Sequence, residues 1–151
     1  MKVEQALADL GLTLIEPPAV PAGNYLPAVR VDKLLFVSGH TGTSAHELRG
    51  KIGRDLTIEQ GYEAARYTML ACLGSIKQVL GDLDQVERVV KLLGFINAAD
   101  GFGDTPKVLN GASDLLIKLY GENGRHARSA IGVAALPANA PVEIEMIVQV
   151  R

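Results

Sequence analysis

The sequence predicts an α+β fold in which two main helices cover one face of a mixed β-sheet. Three observations lead there. Two stretches, about 58–80 and 105–120, carry apolar or small residues at helical spacing, and each ends at a glycine, Gly81 or Gly121. Several short runs rich in Val, Ile and Leu have strand length and are bounded by turn residues. The coarse order α-β-β-α-β-α-β-β interleaves the two kinds of element within one unit, residues 1–151, with no linker or repeat to divide it.

Residues 3–10 read as a short amphipathic helix ending at Gly11. A proline-rich loop follows, with Pro17, Pro18 and Pro21; residues 1–24 form an N-terminal extension. Residues 25–31 and 33–38 read as two strands turned at Asp32, and the apolar run 34–37 suits a strand covered on both faces. Residues 39–46 are a polar, glycine-bearing loop, and 49–55 a loop or short edge element. Thr57 and Gln60 have the spacing of a capping box. They open the longer helix, with Ala64, Ala65, Thr68, Ala71, Cys72, Ser75 and Val79 on one face. Small residues there let a helix lie close against a sheet.

Residues 86–97 form a long apolar strand, and 98–104 a glycine-rich loop. Thr105 is placed to cap the second main helix, with Pro106 at its first position. The last 24 residues read as a hairpin: two strand-like runs around a Pro/Asn/Ala connector. With both helices on one face, the other face, rich in Val and Ile, needs a cover that oligomerisation would supply.

The chain has 151 residues, 48% hydrophobic and 21% charged, enough for a substantial core without Trp. The formal net charge of -2 and the lack of a basic run argue against a nucleic-acid partner. Cys72 is the lone cysteine, so no intrachain disulfide forms, and its apolar helical setting reads as burial. No signal peptide or membrane-spanning run is apparent, which makes the cytoplasm the default compartment. His40, His46 and His126 lack the i, i+4 spacing of a helical metal pair, so no metal site is expected. Gly101 and Gly103 do not open a phosphate-binding loop. Ser38-Gly39-His40 lacks the frame of a hydrolase nucleophile elbow.

The charges of the C-terminal segment stand out. Arg128 opens its first run, while Glu143 and Glu145 lie inside its second, two apart and therefore on one strand face. Arg128-Ser-Ala-Ile-Gly-Val-Ala-Ala-Leu-Pro137 followed by Val142-Glu-Ile-Glu145 resembles the C-terminal signature of the Rid/YjgF family, whose members also go by the names translation inhibitor and L-PSP endoribonuclease. Phe36-Val-Ser-Gly39, the helix at 58–80 and Val89-Val-Lys91 agree with that resemblance, which covers roughly residues 25–150.

The resemblance implies a chorismate-mutase-like fold and a homotrimer whose three sheets form a central barrel, with sites in the clefts between subunits. It implies hydrolysis of reactive 2-imino and enamino acids to 2-oxo acids and ammonia, with no cofactor or metal. Carried over position by position, Arg128 binds the substrate carboxylate and Glu143 lies near the reacting water. Tyr25, Ser38, Gly39 and Asn110 line the site. Some positions depart from the active branch: Ala130 stands where cysteine is common, Gly132 where glutamate is common, and His40 replaces a glutamine. With the longer 98–104 loop and the N-terminal extension, these mark a divergent subfamily.

The residue types suit that chemistry. A planar guanidinium holds a carboxylate by two parallel hydrogen bonds. Imine hydrolysis then needs a placed water and proton transfer. Bland readings stand beside these: a surface or ion-paired Arg128, a structural Glu143, and a half-buried Tyr25 at a strand edge. Three functions follow as expectations. The first is imine hydrolysis. The second is a binding or sensing module that holds a 2-oxo acid or other small carboxylate without turning it over. The third, an endoribonuclease or translation inhibitor, is disfavoured by the acidic balance, the scarce aromatics and the absence of a histidine pair.

Overall fold

A computed structural model describes residues 2–17, 23–42 and 48–151. The predicted loop prolines Pro18 and Pro21, and residues 43–46 of the 39–46 loop with His46 among them, lie outside them. The elements are α1 (Lys2–Asp9), β1 (Ala28–Val31), β2 (Leu34–His40), α2 (Ile58–Leu80), β3 (Val86–Asn97), α3 (Thr105–Tyr120), β4 (Ala127–Val133) and β5 (Val142–Val150). The fold is α+β, and the five strands form one sheet in the order β1-β2-β5-β3-β4. Only β3 and β4 run parallel; the other pairs are antiparallel.

That order corrects the reading of the last two runs as a hairpin: β3 lies between β4 and β5. β3 runs antiparallel to β5 and parallel to β4, so it pairs with both along its length, and β3 and β5 bury their apolar sets on the helix side. The first strand is also shorter than expected. Pro27 has no N–H to give a ladder, so pairing begins at Ala28. Asp32, at φ 55°, turns β1 into β2, a conformation that Asp tolerates better than most residues. β2 runs on to His40, past a bulge between Val37 and His40.

α2 begins with the predicted capping box: the Thr57 hydroxyl accepts from the Gln60 N–H, and Gln60 Oε1 from the Thr57 N–H. Such a cap contributes about 1 kcal/mol. Gly81 ends the helix in the left-handed conformation. Burial goes beyond one small-residue face: every residue from Thr68 to Ile76 is buried, while Val79 is exposed. The sheet covers one side of α2. α3 covers another, close enough that a Cβ on Gly111 would lie 1.9 Å from the Tyr62 carbonyl oxygen. The N-terminal segment covers a third, with the Ile15 carbonyl seated on Gly74. Thr105 does not cap α3. Asp104 stands at that position without a side-chain capping bond, Pro106 is the second helical residue rather than the first, and the Thr105 hydroxyl donates to the Ala130 carbonyl, tying α3 to β4.

The inward-facing residues of β5 (Val142, Ile144, Met146, Val148, Val150) and of β3 (Val89, Leu92, Ile96) meet α2 and α3 in the core. The opposite sheet face is open, and Val29, Val31, Leu34, Phe36 and Ile131 are exposed. At the far end, one turn holds both ends of the described chain. Asp84 accepts from the Lys2 and Val3 N–H groups, while Arg151 donates to the Asp84 and Gln85 carbonyls.

Candidate functional site

Arg128 lies on the edge strand β4, opposite Leu92 of β3. Leu92 is fully buried against the helices, so Arg128 extends over the helix side, toward the first half of α3. Nη1 donates to the Ser113 hydroxyl at 3.1 Å and Nη2 to the Pro106 carbonyl at 3.2 Å. Both acceptors are neutral. Among the described residues no carboxylate pairs with Arg128, and three of its five N–H groups have no protein partner. The ion-paired alternative for Arg128 therefore finds no partner among the described residues. Asn110 lies on the same helix between the two contacts and makes no hydrogen bond to the guanidinium.

Ser113 also meets His126, with Oγ 2.9 Å from Nε2. His126 Nδ1 lies 2.6 Å from the Gly124 carbonyl, which can only accept, so Nδ1 carries the proton and Nε2 accepts from the serine. One directed chain results: Arg128 to Ser113 to His126 to the Gly124 carbonyl. Burial, and then the charge of Arg128, lowers the His126 pKa and favours the neutral imidazole this chain needs. Sequence reasoning missed both residues. The spacing of two between His126, just before β4, and Arg128 within it, which in extended backbone turns both side chains the same way, was the available signal.

Glu143 occupies the other face of the sheet, opposite Phe95, while its neighbours Val142 and Ile144 are buried on the helix side. Its carboxylate lies over the backbone of Gly39, where a Cβ would come within 2.6 Å of Oε2. Partial burial, followed by the charge of Glu145, raises the Glu143 pKa. Glu145 itself is exposed.

The Ser38 hydroxyl donates to the Leu26 carbonyl at 2.6 Å and its N–H to the Pro27 carbonyl, holding the Tyr25–Pro27 segment against β2. Tyr25 is 53% exposed. It belongs to no strand, so it is not the half-buried strand residue of the bland reading. His40 repeats the arrangement of His126: Nδ1 meets the Ser38 carbonyl at 2.5 Å and Nε2 the hydroxyl of buried Ser75 on α2 at 2.6 Å. A groove of about 450 Å³ on the open face is lined by Ser38, Phe36, Lys91, Leu93 and Glu145, among others.

Two clusters result. Ser38, Gly39 and Glu143 gather on the open face, with Tyr25 tethered beside them. Arg128 and Asn110 lie at the opposite, helix-side edge. Arg128 and Glu143 are two strands and three register steps apart, about 14 Å between Cα atoms by ordinary sheet spacings, and point to opposite faces. Within a single copy the two side chains therefore do not share a cleft. Ala130 and Gly132 follow Arg128 on its face and add no functional group. Among the described residues no cluster of three or more His, Cys, Asp or Glu side chains could hold a metal ion, and no helix is long and apolar enough to cross a membrane.

Residues 4–149 match the family model described as YjgF/chorismate mutase-like, whose description adds a provisional endoribonuclease label. Protein TCP17 of Trypanosoma cruzi is 41% identical, over 99% of this chain and 95% of its own length. A 2-iminobutanoate/2-iminopropanoate deaminase of Mus musculus is 31% identical, over 83% of this chain and 80% of its own. A crystal structure of a protein with unknown function from Agrobacterium tumefaciens superposes with a TM-score of 0.89 at 38% identity, covering 99% of this chain and 92% of that one. The C-terminal signature, the mixed sheet backed by helices and these matches agree: the chain belongs to the Rid/YjgF family.

Proposed function

We propose that the protein hydrolyses reactive 2-imino acids and their enamine tautomers to 2-oxo acids and ammonia, in a cleft built by two neighbouring copies of the chain. Arg128 carries this reading. Its guanidinium is oriented by two neutral acceptors and has no carboxylate partner among the described residues. A charge held in place and left unneutralised suits a substrate carboxylate, gripped by parallel N–H···O bonds. The activity named for the mouse relative is of this kind.

With the carboxylate held, the adjacent C=N carbon is presented to water. The water oxygen bonds to that carbon, the C–N bond breaks, and both water protons end on the departing nitrogen as the carbonyl forms. Glu143 of the neighbouring copy orients the water and takes its first proton. Its raised pKa suits it to return that proton to the leaving nitrogen. Tyr25 walls the cleft, and backbone groups at Ser38 and Gly39 line it. Asn110 borders the guanidinium. The apolar open face, with Val29, Val31, Leu34 and Phe36 exposed, supports a homotrimer in which three such faces meet. The chemistry needs no metal or cofactor.

The test is a coupled assay in which an amino-acid oxidase generates 2-iminobutanoate. Arg128→Ala is expected to abolish the acceleration of ammonia release while the protein still elutes as a trimer. Full activity in that variant would sink the site assignment. Ala130 and Gly132 favour a second reading, since neither offers a group for proton transfer: the cleft then binds a 2-oxo acid without turning over the imine. Micromolar 2-oxobutanoate binding with no faster ammonia release would select it.

A further inference from the structure

We propose that Ser113 and His126 are positioning residues for Arg128, forming a latch that aims the guanidinium at its ligand; this rests on the carboxylate reading of Arg128. Nη1 of Arg128 is fixed by a hydroxyl whose residue is 8% exposed and whose own proton is committed to His126. The histidine is in turn held by the Gly124 carbonyl. Every donor in this chain points the same way, and such aligned bonds polarise and strengthen one another. Pro106 holds the second terminal nitrogen, so the guanidinium plane is set at two points before any ligand arrives. Pre-orientation of this kind lowers the ordering cost of binding.

The direction of the chain depends on a neutral imidazole. Protonated His126 makes Nε2 a donor, so Ser113 Oγ would face two cationic N–H groups and its own proton would lose its acceptor. The groups around His126 make this change specific. α3 presents uncharged Ser113, the Gly121–Gly124 turn presents a carbonyl, and β4 presents Arg128. Glu122 and Arg125 pair with each other at 3.0 Å. Lys91 of β3 lines the groove on the opposite face. Acid therefore acts on the latch by setting two cations on one hydroxyl.

The probe is 2-oxobutanoate, titrated calorimetrically into the full-length protein, with thermal melting as the check on folding. Ser113→Ala and His126→Leu are expected to weaken binding about tenfold and to raise KM for the imine with less effect on kcat. His126→Gln keeps an acceptor for Ser113 and should bind within about twofold of wild type at pH 7.5. Wild-type affinity should fall on acidification from pH 7.5 to 5.5, and His126→Gln should flatten that fall. Wild-type affinity in folded Ser113→Ala and His126→Leu overturns the proposal. If those variants do not fold, the pH comparison of wild type with His126→Gln decides, and identical profiles overturn it. Arg128→Ala separates the two levels of inference. Unchanged 2-oxobutanoate affinity there defeats the carboxylate reading itself, whereas loss of binding there, with none in the latch variants, defeats the latch alone.

Discussion

Gly39 and Glu143 form a fitted pair: the carboxylate of one lies where the other would carry its Cβ, 2.6 Å from Oε2. The space is steric, since the Gly39 backbone does not lie in the left-handed region. Gly39→Ala should therefore push the carboxylate aside and lower imine hydrolysis at least tenfold. On stability it should cost about 1 kcal/mol, and much less when Glu143 is already alanine. Urea denaturation of the two single variants and the double variant measures that coupling. Strictly additive effects would show that the carboxylate does not occupy this space in solution.

Arg128→Lys keeps the charge and loses the fork. A lysine cannot hold Ser113 and Pro106 at fixed angles while still presenting two parallel donors. Affinity for 2-oxobutanoate should drop by at least about tenfold, equivalent to roughly 1.4 kcal/mol. The melting temperature should stay within a degree or two, because a fork bound to two neutral groups adds little to folding. Calorimetry and a thermal melt on one sample check both.

Gly111 is where α3 meets α2, and its missing side chain sets their separation. A methyl there would run into the Tyr62 carbonyl, which belongs to a helix backbone and cannot swing away. Gly111→Ala should destabilise the protein by about 3 kcal/mol, the upper end of ordinary overpacking. Gly103→Ala, which meets nothing within 4 Å, serves as the control. Equal denaturation midpoints for the two variants would contradict the close crossing.

His40 and His126 make folding sensitive to acid. Burial lowers both pKa values, opposed at each by a carbonyl bond and helped at His126 by Arg128. In the unfolded chain both titrate near about 6.5. Between that value and the lower folded ones the unfolded chain binds more protons. Their contribution is therefore complete above about pH 6.5 and lost as pH falls through the folded values. Glu143, raised by burial and then by Glu145, acts in the opposite sense: its contribution is present in acid and lost as pH rises through its folded value. On acidification from pH 7 to 5 the two histidines should therefore lower the melting temperature. Replacing both histidines by glutamine should flatten that slope.

Local features were legible in the sequence because short-range chemistry makes them. Thr57 and Gln60 satisfy each other's backbone groups across three residues, and Gly81 takes a conformation that other residues resist. The Val142, Ile144 and Met146 set placed Glu143 and Glu145 on the opposite face by simple alternation. The neighbours of β4 were not legible. Insertion of β3 between β4 and β5 is a long-range choice that the run of residues 128–151 does not encode. It separates two charges that stand close together along the chain. Ser113 was hidden for a related reason: a serine within an apolar helix reads as a small core residue until the strand that contacts it is known. Thr105 misled as a cap because Ala130, the acceptor it serves, lies 25 residues away.

The turn at Leu83–Gln85 has a consequence for how the molecule comes apart. Chain ends usually fray independently and cheaply. Here the Lys2 and Val3 amides and Arg151 all bind to Asp84 and Gln85. Opening that turn breaks the bonds of Val3 and Arg151 to it together, so in hydrogen exchange those two amides should open with a common free energy, although they lie 148 positions apart in the sequence.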